Sequence, residues 1–234
     1  MLTFARISLG NEPVGGTGLC ALCAGRRTFA RDVEDAVADV NCAGGLADGL
    51  CEGILFDGYE PFAHPNLVEL IQQARTIGVE RIALHTDGGA LSRVDNARGS
   101  MDMGVRIFEI SIFGATQEVH DRLAGLPGLF DAMSAGITQV RTIAHEAGYS
   151  IALIASLDVC KHNTAYFLDM VSFCLEKGFD AIRLKSGSEN LTVELIEQAH
   201  ALATTQGVVL FGESVTQLNH AQLYSVRSLE ELSS

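Results

Sequence analysis

Two thiols, Cys20 and Cys23, stand three residues apart in the glycine-rich stretch Gly15-Gly16-Thr17-Gly18-Leu19-Cys20-Ala21-Leu22-Cys23-Ala24-Gly25. A pair at this spacing can ligate an iron–sulfur cluster, join two further ligands around zinc, cycle as a dithiol, or have no chemical role. A structural zinc site wants four closely spaced nitrogen or sulfur ligands, and the chain has no second cysteine pair. A redox pair normally opens a helix whose dipole lowers a thiol pKa. Here glycines flank the pair, and no helix is predicted before Arg31. Cluster binding therefore leads, with an inert pair as the main alternative. Cys42, Cys51, Cys160 and Cys174 are scattered singly and read as small buried hydrophobes.

Other candidates follow apolar runs. Glu60 comes after Phe56-Asp57-Gly58-Tyr59 and before Pro61, which restricts its backbone; a solvated loop acid is the alternative. Asp87, between Thr86 and Gly88, reads as a turn residue. Ser111, an isolated strand serine whose facing depends on register, reads as a satisfied core hydroxyl. Asn163 stands where it would cap the helix after it. His64, His85, His120 and His162 fall at or near strand exits, where imidazoles suit proton transfer or substrate contact near neutral pH. His120-Asp121-Arg122 is the candidate for substrate recognition, with an internal ion pair closing its loop as the other reading. No residue is singled out as the catalytic one.

The elements that must position these residues alternate. Apolar runs at 3–9, 53–57, 81–85, 105–113, 151–157, 181–185 and 208–211 read as strands. Between them, 31–40, 67–77, 129–147, 164–177 and 192–206 show helical periodicity, and 90–103 shows it more weakly. Asn66 is expected to cap the helix whose stripe is Leu67, Leu70, Ile71, Ala74 and Ile77, with Gly78 stopping it. Residues 11–28 and 114–126 read as loops. Strand then helix, repeated, specifies a parallel sheet covered by helices. From Leu55 to Ala83, Ala83 to Ile110, Leu153 to Ile182 and Ile182 to Leu210 the steps are 28, 27, 29 and 28 residues. Units this regular predict a partial (β/α)6-type TIM-like barrel over residues 1–212, with 213–234 a polar tail of uncertain structure. Such folds keep their sites at the C-terminal ends of the strands. By this register Cys20, Cys23, Glu60, Ser111 and Asn163 share one rim, and Cys42 and Cys51 lie at the other.

Composition narrows the partners. At 234 residues and 47% apolar, the chain can bury one substantial core. A net charge of −13 argues against nucleic acid, whose phosphates need a basic surface. The longest apolar runs fall short of the roughly 18 residues a membrane span requires. The opening Met1-Leu2-Thr3-Phe4-Ala5-Arg6 lacks the features of a signal peptide, so a cytoplasmic, reducing location is expected.

Cys-x-x-Cys in a glycine-rich loop, Phe56-Asp57-Gly58-Tyr59-Glu60-Pro61 followed by His64-Pro65-Asn66-Leu67, and Ile110-Ser111-Ile112-Phe113-Gly114-Ala115-Thr116-Gln117-Glu118-Val119-His120-Asp121-Arg122-Leu123 together resemble the radical S-adenosylmethionine superfamily. The likeness runs from about residue 4 to residue 211. It implies a partial βα barrel, a [4Fe–4S] cluster and S-adenosylmethionine. Cys20 and Cys23 match two of the three cluster cysteines. The first position falls on Gly16, which cannot replace a thiolate. The resemblance puts Gly58, Tyr59, Glu60 and Pro61 beside the amino group of S-adenosylmethionine and adds Asp87, Ser111 and Asn163 to that site. Tyr59 and Asp87 depart from the family pattern, which has glycine and asparagine there. It implies either radical chemistry on a small-molecule or peptide substrate, impaired by Gly16, or a binding module or accessory subunit acting with a protein partner.

Overall fold

The computed structural model describes residues 3–10, 32–45, 53–58, 60–185, 191–218 and 221–228. Cys20, Cys23, Gly16, Tyr59 and Cys51 lie outside the described residues. The strands are β1 (Thr3–Ser8), β2 (Gly53–Asp57), β3 (Arg81–Thr86), β4 (Val105–Ile112), β5 (Ala152–Leu157), β6 (Ala181–Leu184), β7 (Val209–Leu218) and β8 (Ala221–Ser228). The helices are α1 (Val33–Gly45), α2 (Leu67–Thr76), α3 (Val94–Asp102), α4 (Gln117–Ala124), α5 (Leu129–Ala147), α6 (Phe167–Glu176) and α7 (Val193–Thr205). Strands β1 to β7 run parallel in sequence order. The expected βα barrel is thus present among the described residues. Strand β8 adds an antiparallel element that pairs with both β7 and β1 and closes the sheet.

Strand alternation divides the core in two. One set of residues, including Ile54, Phe56, Ile82, Leu84, Phe108, Ile110, Leu153 and Ile182, joins the apolar face of the helices in one large core. The alternate set points to the barrel axis. Near the N-terminal ends it is apolar: Phe4, Leu55 and Ala83 cluster with Ile107. A cavity of about 290 Å³ sits at this floor, lined by these four with Ile154 and Phe211. Further up the same faces, the residues are charged or polar.

Three local expectations change. Residues 117–124 form α4, where a loop was expected. Thr116 supplies the N-cap, accepting from the Val119 amide, and Gly125 ends the helix in the left-handed region at φ 65°. Asn66 makes no side-chain cap; it donates from Nδ2 to Glu69 instead, at 3.0 Å. Cys42 is exposed on α1, whereas Cys174 is buried and Cys160 half-buried. Helix α5 packs close to the turn after β3. A Cβ on Gly136 would overlap the Gly88 carbonyl oxygen. No helix among the described residues is long and apolar enough to cross a membrane.

Candidate functional site

The C-terminal rim carries two connected polar groups. The first joins the exits of β2 and β3. Glu60 has an extended backbone just before the Pro61–Ala63 turn, and its carboxylate accepts from the Phe62 amide. It also accepts from the Thr86 hydroxyl at 2.8 and 2.9 Å and from the Asp87 amide at 2.9 Å. Asp87 Oδ1 in turn accepts from the Gly89 amide, the local bond expected of a turn aspartate. Two acids from adjacent strand exits are therefore held close together. Burial and the Asp87 charge push the Glu60 pKa up from 4.5 to about 8, despite the hydrogen bonds that favour its ionised form.

The second group fills the upper barrel. Asp57 accepts from Arg6 Nε at 2.8 Å, from the Gly58 amide at 2.5 Å and from His85 Nδ1 at 2.7 Å. His85 Nε2 lies 2.9 Å from Ser111 Oγ and 3.8 Å from Glu109. Glu109 is ion-paired with Arg183, and Arg183 donates to Ser156 Oγ at 3.1 Å. Lys185 pairs with Asp158 at 3.5 Å. Three cations thus face three carboxylates around one imidazole, all of them buried or nearly so. Pairing is what such burial demands, since each unpaired ion costs several kcal/mol. Burial alone would raise the Asp57 pKa, but His85, Arg6 and Lys185 hold it well below the usual carboxylate value. Burial lowers the His85 pKa to about 4, with Lys185 and Arg183 adding to the fall and Asp57 opposing it.

The residues singled out in the sequence divide accordingly. Glu60 and Asp87 meet directly. Ser111 joins the second group, which also touches Gly58 through Asp57. Asn163 is fully buried and spent on backbone: Nδ2 donates to the carbonyls of Phe113 and Asp158, and Oδ1 accepts from the Cys160 amide. It ties the β4 and β5 exits together without making a side-chain helix cap. His120 is buried edge-on against Phe113 and Phe130, and burial lowers its pKa to about 4. Asp121 accepts from the amides of Gly128 and Phe130, closing the α4–α5 connection through backbone contacts, while Arg122 is exposed. Sequence reasoning did not single out Asp57 as a site residue, nor Arg6, Glu109, Asp158, Arg183 and Lys185. Their signal was a charged or polar residue at alternate positions in, or just after, otherwise apolar strands, as in Glu109/Ser111 and Arg183/Lys185.

Among the described residues no group of three or more His, Cys, Asp or Glu is arranged to hold a metal ion. The cluster donors would come from the glycine-rich loop, where the sequence supplies two thiols for a group that needs three. That donor set does not fit a three-cysteine cluster. A sulfonium or ammonium cation does suit the rim, where Glu60 and Asp87 crowd their charges.

No family model matches the sequence. An AdoMet-dependent heme synthase of Oleidesulfovibrio alaskensis is 30% identical over 125 residues, which span 53% of this chain and 30% of that protein. One of the same name from Methanosarcina barkeri is 33% identical over 90 residues, 38% of this chain and 25% of that protein. The matches thus span less than a third of either curated relative. In fold, the chain is similar to SuiB of Streptococcus suis bound to S-adenosylmethionine. The TM-score is 0.56 at 15% identity, covering 89% of this chain and 46% of SuiB. The fold is a βα barrel of the kind seen in SuiB. In sequence the chain is thus similar, over part of its length, to proteins named for S-adenosylmethionine-dependent heme synthesis, and in fold to an S-adenosylmethionine-bound barrel. Members of the radical S-adenosylmethionine superfamily use S-adenosylmethionine and a [4Fe–4S] cluster.

Proposed function

We propose that this chain binds S-adenosylmethionine at the β2–β3 rim and that its radical chemistry is impaired by glycine at the first cluster position. The observation that carries the binding site is the pair Glu60–Asp87. Each carboxylate makes the other costly to ionise, and a cation between them relieves that cost. S-adenosylmethionine brings both an ammonium and a sulfonium group. Glu60 would take the ammonium, with Gly58, Tyr59 and Pro61 shaping the approach, Asp87 adding charge, and Ser111 and the Asn163-braced loop bounding the site. Bound there, the cofactor would supply an activated adenosyl or methyl group. Cys20 and Cys23 leave protein ligation of a cluster one thiolate short.

Held at pH 7, Glu60 must lose a proton to receive the cation, so binding should release protons. Titration calorimetry in buffers of different ionisation enthalpy reads this directly. Glu60→Ala should weaken affinity by at least tenfold, equivalent to roughly 1.4 kcal/mol. Unchanged affinity in Glu60→Ala, or no binding at all, refutes the site.

A second reading is favoured by retention of both thiols and by the curated relatives. In it the chain completes its cluster with a ligand from elsewhere and carries out S-adenosylmethionine-dependent chemistry, of which heme synthesis is one form. A cytoplasmic location would keep the thiols reduced in either case. The substrate, small molecule or peptide, would then meet His120, Asp121 and Arg122 only if α4 shifts, since His120 is buried. In the first reading, the same surface is left to a protein partner.

A further inference from the structure

The interior group contains an array in which Ser111, at the edge of the proposed cofactor site, meets His85 and Asp57, two side chains to which that site gives no role. Asp57 ends β2, while His85 and Ser111 each stand one residue before the ends of β3 and β4. These strands are neighbours in register, so the three side chains meet across the barrel axis. Asp57 is held ionised by Arg6 and the Gly58 amide, and an ionised carboxylate can only accept. His85 Nδ1, 2.7 Å away, must therefore carry the proton. The lone pair of Nε2 is left facing the Ser111 hydroxyl at 2.9 Å. Glu109, the other group near Nε2, is 3.8 Å off and engaged by Arg183. Nucleophile, base and orienting acid are in hydrogen-bond reach of one another, which is the geometry of an activated serine.

We propose that Ser111 is a nucleophile activated by His85 and oriented through Asp57, giving the barrel an acyl-transfer activity toward small esters or thioesters. Ser111 Oγ forms a bond to the acyl carbon as its proton passes to His85 Nε2. The carbon–oxygen or carbon–sulfur bond of the ester breaks, and the leaving group takes that proton. Water then attacks the acyl-serine, giving a proton to Nε2 as its oxygen bonds the acyl carbon. The Ser111–acyl bond breaks, Oγ recovers the proton, and the carboxylic acid leaves. No redox partner is required. Asp57 and Glu109 stabilise the transient imidazolium. Arg183 and Lys185, whose charges reach His85, favour the negative charge that builds on the carbonyl oxygen. The depressed His85 pKa keeps the base form present throughout the neutral range.

The full-length chain would be treated with diisopropyl fluorophosphate and, separately, with p-nitrophenyl acetate, and adducts located by intact mass and peptide mapping. One adduct per chain on Ser111 is expected, absent in Ser111→Ala and formed at least 100-fold more slowly in His85→Gln. No adduct, an adduct elsewhere, or an unchanged rate in His85→Gln overturns the proposal. His85 is buried, so folding of the variant is checked by circular dichroism. Should His85→Gln not fold, Ser111→Cys decides in its place. Its thiol, though less exposed, should be alkylated by iodoacetamide faster than the exposed Cys42 of the same chain. A rate equal to or below that of Cys42 overturns the proposal.

Discussion

Replacing Glu60 by glutamine should stabilise this protein, and only at high pH. Glutamine keeps an oxygen for the Thr86 hydroxyl and the Asp87 amide, and it offers Asp87 a donor where the wild type offers a second negative charge. In the unfolded chain Glu60 ionises near its ordinary 4.5, in the folded chain near 8. Below 4.5 both states hold the proton, and the group costs no stability. As pH rises toward 8 the unfolded state loses its proton first, so stability falls across that window and then levels off. The gap, at roughly 1.4 kcal/mol per pH unit, sets a ceiling of about 5 kcal/mol. Glu60 is only half-buried, and solvent screening brings the expected loss to about 2 kcal/mol. Urea denaturation of wild type and Glu60→Gln at pH 5 and pH 8 measures it. Curves within about 1 kcal/mol at pH 5 that diverge by about 2 kcal/mol at pH 8, the variant being the more stable, are expected. A variant less stable at pH 8, or an equal difference at both pH values, refutes the claim that two crowded acids leave this rim short of a cation.

Arg183→Met would leave Glu109 buried without its cation. It should cost about 3–5 kcal/mol in thermal or urea unfolding, most of it regained in the Arg183→Met/Glu109→Gln double variant. Gly136→Ala would drive a methyl group into the Gly88 carbonyl and should cost about 1–3 kcal/mol, in contrast to the gain alanine usually brings to a helix. Both values follow from equilibrium denaturation with an unchanged urea slope.

Much of the barrel was legible because its signal is local and repeated. The steps from Leu55 through Leu210 fixed β2 to β7 in order, and the apolar stripe of α2 named the face it buries. Helix α4 was missed because Gln117, Glu118, His120, Asp121 and Arg122 make it polar. Its start rests on one Thr116 hydroxyl bond and its end on Gly125. Strand β8 was missed because Ala221–Ser228 gains its order from pairing with β1, more than 200 residues earlier, which no local pattern encodes. The position of Glu60 at the β2 exit was legible from its place before Pro61. The use of Asn163 was not, because it depends on carbonyls at Phe113 and Asp158 that come together only when the β4 and β5 exits meet. The interior ion pairs escaped for a similar reason. Arg6 and Asp57 are single charges in apolar strands and Glu109 stands mid-strand in β4, and only closure of the sheet turns them toward one another.

We propose that this barrel binds S-adenosylmethionine but has one thiolate too few to cleave it. The most direct test is anaerobic reconstitution with iron and sulfide, followed by reduction in the presence of S-adenosylmethionine and quantification of 5′-deoxyadenosine. For the chain with Gly16, little or no 5′-deoxyadenosine is expected, while Gly16→Cys should raise the bound iron and the visible absorbance of the cluster. Four irons per chain and reductive cleavage by the unmodified protein would contradict the account and require a third cluster ligand from another part of the chain.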